Sequence, residues 1–474
     1  MPAATGSDWI HGFATPIQTY MRSQTVSRSP TDGGEQRYIW YRELTGYQWF
    51  ALSTAALGWT FDCMAQQLFS IARKPAVHDL LGRGATDAEV SLQAGYSTMI
   101  LMIGWAIGGV VFGILGDRLG RAKTMTLTIL LFSIFTGMSF FAGSLLAFNI
   151  YRFLCSLGVG GQFAVGVSLV AEVMPERARP YALGMLQALA SVGNMTAGLV
   201  GIALGQMEQS GSIVAAWRYM FLAGAVPAPL ALLVFKKLKE PEQWLKARAE
   251  KKRMGSFGEL LGDPRWRRNS IAGALLAVTG VVGLWGIGFF SYDLFRPILE
   301  NAFRARGFTG AELAGKITTW IGLTSILQNA GSFLGIHAFT WLTARTGRRR
   351  AFAVSFVAAM LMTAFTFWQL KEISQIFWMI PLMGFTQLAL FGGYAIYLPE
   401  LFPTRLRSTG TSFCYNVGRL AAAAGPLGLG LLTSRVYHGP NAMRYAGITM
   451  SLVFLLGLAA LPFAPETRGQ PLPE

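Results

Sequence analysis

The chain has 474 residues, of which 52% are hydrophobic and 14% charged, and its mean hydropathy is +0.41. A soluble globular chain carries about 25% charged residues, so too little polar surface is present to solvate a protein of this size; a water-soluble enzyme, a disordered chain and a secreted disulfide scaffold are excluded. The net charge of +16 sits in short basic loops between apolar runs and forms no basic stripe with interleaved aromatics, which excludes nucleic acid as a partner.

A helical span takes about 20 apolar residues. The first 46 residues are polar and mixed, with no apolar signal core up to about Arg42, and read as a cytoplasmic arm with a surface helix around Trp9 to Tyr20. Six runs follow, near 47–72, 92–115, 124–142, 146–171, 181–205 and 215–235. A linker over 236–268 holds Lys236, Lys237, Lys239, Lys251, Lys252, Arg253, Arg265, Arg267 and Arg268. Six more runs fall near 269–292, 317–342, 351–370, 374–398, 408–434 and 442–464, and a tail covers 465–474. The expectation is an all-α membrane protein, twelve transmembrane helices in two pseudo-symmetric six-helix bundles over 47–235 and 269–464.

With twelve spans both termini share a side. The basic loops at Arg118–Lys123, Glu176–Arg179, Arg345–Arg350 and Arg405–Arg407 fall on that side with the linker, while Gly143–Ser144 and Gln206–Ser212 fall opposite and are near neutral. The bias of Lys and Arg places the linker and termini in the cytoplasm. Cys63, Cys155 and Cys414 lie inside apolar runs without metal spacing, and His11, His78, His337 and His438 are scattered; neither type forms a metal site, and no cofactor is expected. Gly104-x-x-x-Gly108-Gly109 and Gly158-Val159-Gly160-Gly161 lie mid-span with no strand before them, and read as close helix packing rather than phosphate loops.

The two halves repeat. Gly116-Asp117-Arg118-Leu119-Gly120-Arg121 follows the second span, and Thr343-Ala344-Arg345-Thr346-Gly347-Arg348 follows the eighth, 227 residues later. Glu172-Val173-Met174-Pro175 through Arg179 ends the fourth span; Glu400-Leu401-Phe402-Pro403 through Arg407 ends the tenth, 228 residues later. Matching offsets mean six spans duplicated in parallel, the arrangement in which two halves rock about a central site.

From about residue 47 to the end these motifs resemble the major facilitator superfamily. The Gly-Asp-Arg-x-Gly-Arg loop is similar to that family's signature, with Ala344 in the Asp position of the second copy. Two branches match. Arg152-Phe153-Leu154 through Glu172-x-x-Pro175-x-x-x-Arg179, and Pro465-Glu466-Thr467-Arg468-Gly469, resemble the sugar porters, whereas the seventh span (Val278 to Tyr292) lacks their paired glutamines and Ala395 replaces their usual tryptophan. Tyr397-Leu398-Pro399-Glu400 through Arg405, Gly418-Arg419 and Gly425-Pro426 resemble the organic-anion, aromatic-acid and nicotinate proton symporters. That branch often carries Asp-x-x-Asp in the first span; Asp62-Cys63-Met64-Ala65 keeps only the first.

Ionisable groups inside spans cost roughly 2.5–3.5 kcal/mol each on insertion scales, so each needs a reason. From their distance to the outer span ends, Asp62 and Arg152 come within reach of one another, and an Asp that releases its Arg during rocking takes a proton; a permanent structural pair is the alternative. The resembling symporters give the matching residues the proton-coupling part. Arg419, near the midplane among Gly418 and Ala421–Ala424, can grip a carboxylate with two parallel hydrogen bonds. Gln66, Gln162, Gln187, Gln328, Asn329 and Asn416 offer polar contacts to a bound solute, with Trp285, Tyr292 and Tyr394 as aromatic walls. Gly116, Asp117, Arg118, Gly120, Arg121, Glu172, Arg179, Arg345, Gly347, Arg348, Glu400 and Arg407 form a cytoplasmic gate. The reading is a proton-coupled symporter of a small organic anion in the plasma membrane, working as a monomer. A sugar symporter or facilitator of the same fold and a non-transporting solute receptor are the rivals. No nucleophile–base pair or metal cluster stands in any span, which argues against an enzyme.

Overall fold

A computed structural model describes residues 38–82, 84–287, 291–439 and 441–474, and Trp40–Glu474 form one compact unit. The surface helix expected around Trp9 to Tyr20 lies outside the described residues. The first bundle contains α1 (Gly46–Leu81), α2 (Asp87–Arg118), α3 (Arg121–Met138), α4 (Leu145–Val173), α5 (Arg179–Gln209) and a sixth span broken into α6 (Ala216–Ala223) and α7 (Ala228–Lys237). Two short linker helices follow, α8 (Glu242–Ala249) and α9 (Phe257–Gly262). In the second bundle, α10 (Pro264–Val281) continues through a π-helical segment at Val282–Ile287 and then α11 (Ser291–Arg304). Next come α12 (Gly310–Thr346), α13 (Arg348–Gln369), α14 (Ile373–Glu400), an eleventh span of α15 (Arg407–Ala423) and α16 (Gly425–Leu431), and a twelfth of α17 (Ala442–Ser451) and α18 (Val453–Ala460). These are the twelve spans of two pseudo-symmetric bundles.

Local chemistry sets the boundaries. Thr45 and Gln48 close a reciprocal cap at the start of α1, and Thr86 with Glu89 does the same for α2. The first span is longer than expected: it passes Pro75 and runs to Leu81, ending at Gly82 (φ +90°), rather than stopping near residue 72. The sixth span breaks where Pro227 and Pro229 interrupt the backbone ladder, and the eleventh where Gly425 and Pro426 do. Among the described residues, eight of these spans are long and apolar enough to cross a membrane. Of the other four spans, the sixth and eleventh are broken, and α1 and α12 are diluted by inward polar residues such as Asp62, Gln328 and Asn329.

Within the bundles α2 packs on α4 and α12 on α14; between them α2 meets α15 and α5 meets α12. The first two contacts are copies. A Cβ on Gly108 would stand 2.0 Å from the Leu157 carbonyl oxygen, and one on Gly335 would stand 2.1 Å from that of Phe385. Only glycine lets these backbones touch, so the Gly104-x-x-x-Gly108 run is a packing stripe repeated 227 residues on as Gly331-x-x-x-Gly335. The glycine stripe makes each α2–α4 and α12–α14 pair a rigid unit.

Gly108→Ala and Gly335→Ala should each destabilise the protein by about 1–3 kcal/mol through overpacking against backbone. Gly95→Ala, at an exposed helical position with open space around its Cβ, should leave the midpoint unchanged or raise it. Thermal unfolding in detergent measures all three.

Candidate functional site

Chemistry-bearing residues gather in two layers, one at the face that carries the 236–268 linker and one at mid-depth. The linker-face layer begins at the α2–α3 turn. Gly120 has φ +112° and its copy Gly347 φ +93°, a region where a side chain is strained. A Cβ on Gly120 would also stand 2.3 Å from Glu240 Oε1, and one on Gly347 would stand 2.7 Å from Glu466 Oε2. Each turn thus makes room for a carboxylate that caps the next helix. Glu240 accepts from the backbone N–H groups of Arg121 (2.6 Å), Ala122 (3.2 Å) and Lys123 (3.2 Å). Glu466 accepts from those of Arg348 (2.9 Å) and Arg349 (3.1 Å). Sequence reasoning missed Glu240, although it repeats at Glu466 close to the offset of the other matched pairs.

The capped helices present Arg121 and Arg348. Arg121 grips Glu172 with two parallel bonds, Nε to Oε2 at 3.1 Å and Nη2 to Oε1 at 2.8 Å. Arg348 grips Glu400 in the same way at 3.0 and 2.9 Å. Glu172 also receives Arg407 Nη1 from the second bundle at 2.7 Å. Arg121 Nη2 donates across to the Thr404 carbonyl oxygen at 2.6 Å. Asp117, 3.1 Å from Arg121 Nη2, accepts from the Ser408 N–H (3.1 Å), the Thr409 N–H (2.9 Å) and the Thr409 hydroxyl (2.6 Å) at the start of α15. The side chains of Asp117, Arg121, Glu172 and Arg407 are all 0% exposed, so two carboxylates and two guanidiniums neutralise each other out of water. Arg179 donates to the Ala171 carbonyl oxygen at 2.9 Å and faces Glu400 electrostatically. The second copy has no equivalent of the Asp117 bridge, because Ala344 stands there.

Two residues expected in the gate sit outside this network. Arg118 is exposed and donates to the Met254 carbonyl oxygen in the linker; Arg345 is exposed and lies 4.3 Å from the centroid of Trp341. The linker itself closes over the layer: buried Trp244 donates from Nε1 to the Asp117 carbonyl oxygen at 2.6 Å, and Arg405 pairs with Glu259 at 2.7 Å.

At mid-depth the expected pair does not form. Arg152 is 1% exposed; it donates to Ser139 Oγ at 3.1 and 2.7 Å and to the Phe135 carbonyl oxygen at 3.0 Å, and it lies 4.5 Å from the Phe221 centroid. Its donors turn to α3 and the residues just after it rather than to α1, although Phe69 of α1 and Phe148 of α4 stack at 6.4 Å between the two helices. Asp62 is fully buried, accepts from Gln66 Nε2 at 3.2 Å, and leaves Oδ1 unpaired. The cation whose charge acts on it is Arg419.

Arg419 is 7% exposed, makes no ion pair among the described residues, and leaves Nη1 unpaired. Its guanidinium carbon lies 4.7 Å from the centroids of both Trp105 and Tyr415. Tyr415 stacks on Phe163 across the bundles at 4.2 Å, and Phe163 meets Trp59 at 5.1 Å. Gln162 accepts from the Thr128 hydroxyl and leaves its amide nitrogen unpaired, and Asn416, seated over Gly109, leaves Oδ1 unpaired. Trp105 Nε1 is a third buried donor without a partner. Sequence reasoning missed Trp105, Tyr415 and Phe163, for nothing distinguishes these aromatics from those of the lipid-facing and packing surfaces.

Other candidates are engaged in packing. Tyr394 donates to the Leu276 carbonyl oxygen at 2.7 Å, and Gln187 accepts from Trp59 Nε1 at 3.1 Å. Asn329 accepts from Asn194 Nδ2 across α5 and α12 at 3.0 Å, and Gln328 is buried one position before it. Trp285 lies edge-on to Trp105 at 5.7 Å. The side chain of Tyr292 lies outside those described.

The family model described as Major Facilitator Superfamily matches residues 49–334. The chain belongs to the major facilitator superfamily. A second model, Sugar (and other) transporter, matches residues 303–474. The chain is 29% identical over 435 residues (91% of this chain, 94% of the relative) to a probable 4-methylmuconolactone transporter of Cupriavidus pinatubonensis. It is 29% identical over 351 residues (73% and 79%) to a cis,cis-muconate transport protein of Acinetobacter baylyi. Among solved structures, the proton:xylose symporter XylE matches 90% of this chain and 98% of its own with a TM-score of 0.68 at 19% identity, a likeness of fold. As a member of this superfamily the protein is a multi-pass membrane transporter of small solutes rather than an enzyme.

Two outcomes follow from the linker-face layer. Arg407→Gln leaves Glu172 facing a single guanidinium and removes a cross-bundle bond; breaking a buried pair costs about 3–5 kcal/mol, and cysteines placed at the linker face should become more accessible to a water-soluble maleimide. Burial pushes the Glu466 carboxyl up, but the backbone N–H groups of Arg348, Arg468 and Arg349 outweigh it and hold Glu466 below its usual 4.5. A depressed carboxylate stabilises above its unfolded pKa and loses that contribution as pH falls through its folded one. Glu466→Gln should therefore lower the unfolding midpoint at neutral pH, and the difference should shrink as pH drops below 4.5.

Proposed function

We propose that this transporter carries a small organic anion, a carboxylate, together with a proton by alternating access. The observation that carries this reading is Arg419: a buried guanidinium at mid-depth held between two ring faces, with Nη1 unpaired and no ion pair among the described residues. A buried charged group with an unpaired donor is costly, and a substrate carboxylate supplies the missing acceptor through charge-assisted bonds. Gln162 Nε2 and Trp105 Nε1 add donors. The two relatives are named for 4-methylmuconolactone and cis,cis-muconate, which accords with a small organic acid. The Sugar (and other) transporter match favours a neutral sugar as the second reading.

Asp62 is the proton site. Among the described residues Arg419 is the cation whose charge acts on it, and a carboxylate bound there cancels that charge, so Asp62 takes a proton when the anion arrives. Substrate and proton then load together and neutralise the midplane before the bundles move. Arg152, tied to Ser139 and Phe135, serves the packing of α4 on α3. The linker-face layer is the gate, closed in this conformation; release toward it separates Glu172 from Arg407 and Asp117 from α15. The bundles 47–235 and 269–464 move as units about the linker. We place the linker and both termini in the cytoplasm, the protein in the plasma membrane, and the working unit as a monomer.

The test is uptake of labelled cis,cis-muconate, nicotinate and xylose into proteoliposomes with and without an inward proton gradient. Acid accumulation should need the gradient and vanish in Asp62→Asn. Arg419→Gln should raise KM for the acid roughly 10–100-fold, the loss of a charged hydrogen bond. Gradient-independent entry of xylose, with no acid uptake, contradicts the reading.

A further inference from the structure

Trp105 touches both sides of the site. It lies on α2, where a Cβ on Gly160 of α4 would come within 2.1 Å of the Trp105 carbonyl oxygen, so its backbone is locked to the first bundle. Its ring crosses to the second bundle in two directions: one face holds Arg419 at 4.7 Å, and its edge meets Trp285 at 5.7 Å and 69°. Trp285 stands on the π-helical segment Val282–Ile287 between α10 and α11. A π segment has already surrendered the i→i+4 ladder, and such segments are where helices kink.

We infer that Trp105 is a positioning residue that couples occupancy of Arg419 to bending of the seventh span at Val282–Ile287. The inference rests on the proposed role of Arg419. With the site empty, the guanidinium charge falls on the indole face and holds Trp105 against Trp285. A carboxylate binding in the guanidinium plane draws that charge away from the ring. Trp105 then loosens from Trp285, and α11 is free to swing over the far end of the site. A ligand shifts a conformational equilibrium only through contacts that differ between the states, and the Arg419–Trp105–Trp285 chain provides that difference.

The experiment uses the full chain with its three cysteines replaced by alanine and spin labels at Leu92→Cys on α2 and Asn301→Cys on α11, both exposed. The probe is cis,cis-muconate. The parent should show a shift in the inter-label distance on saturation. Trp285→Leu, which leaves Trp105 on Arg419, should bind muconate as tightly as the parent, show no shift, and lose turnover on the order of tenfold without a rise in KM. Trp285→Phe, which keeps a ring against Trp105, should restore the shift. Should Trp285→Leu fail to yield folded protein, Trp285→Met makes the same test, with binding kept and the shift lost. A full shift in the Trp285→Leu or Trp285→Met protein, or binding and shift lost together, overturns the coupling. A parent that binds neither muconate nor nicotinate overturns the anion reading, and the coupling with it.

Discussion

A carboxylate at the end of α4 is shared between guanidiniums from two bodies: Glu172 takes two bonds from Arg121 of its own bundle and one from Arg407 of the other. Buried charges of this kind bring little net stability, since the desolvation cost roughly offsets the attraction. Their value is in what happens when they part. Arg121 stays with Glu172 in any rigid-body motion of the first bundle, so Glu172 keeps one guanidinium when Arg407 departs. The second bundle has its own Arg348–Glu400 clamp. Asp117 and Arg407 lose their cross-bundle partners on parting and must pass to water, so the cross-bundle bonds act as a breakable layer between the two clamps.

The mid-depth layer follows the opposite rule. Arg419 and Asp62 each keep an unpaired atom, and aromatic faces rather than ions hold the guanidinium in place. A site satisfied by its own residues has no use for a solute; one left with unpaired donors does. The linker-face layer is saturated and holds a conformation, while the midplane is unsaturated and binds. The glycine stripes join the layers, because α2 carries Gly108, Trp105 and Asp117 on one rigid rod locked to α4.

The fold was largely legible in the sequence because duplication left pairs at a fixed offset, such as Arg121 with Arg348 and Glu172 with Glu400, which only a shared geometry requires. Clamp partners could be read from that spacing. Glu240 was legible in principle, by its match to Glu466, and was overlooked because it stands in a linker crowded with charge. The partner of Asp62 was not legible. Spacing from the span ends brings Asp62 and Arg152 within reach, but it does not show which way a side chain turns, and Arg152 turns to Ser139 and Phe135. Trp105 and Tyr415 were invisible because a ring in a span can face lipid, core or site with the same local pattern, and only the crossing of α2 with α15 decides which.

The coupling of anion to proton is the claim on which the functional account turns, and calorimetric binding tests it without transport. Titrating cis,cis-muconate into the purified protein in two buffers of different ionisation enthalpy counts the protons exchanged on binding. The account predicts that a proton is taken up with each anion by the parent, and that Asp62→Asn binds the anion with no uptake. Binding by the parent that is identical in both buffers, with no proton exchanged, would contradict it.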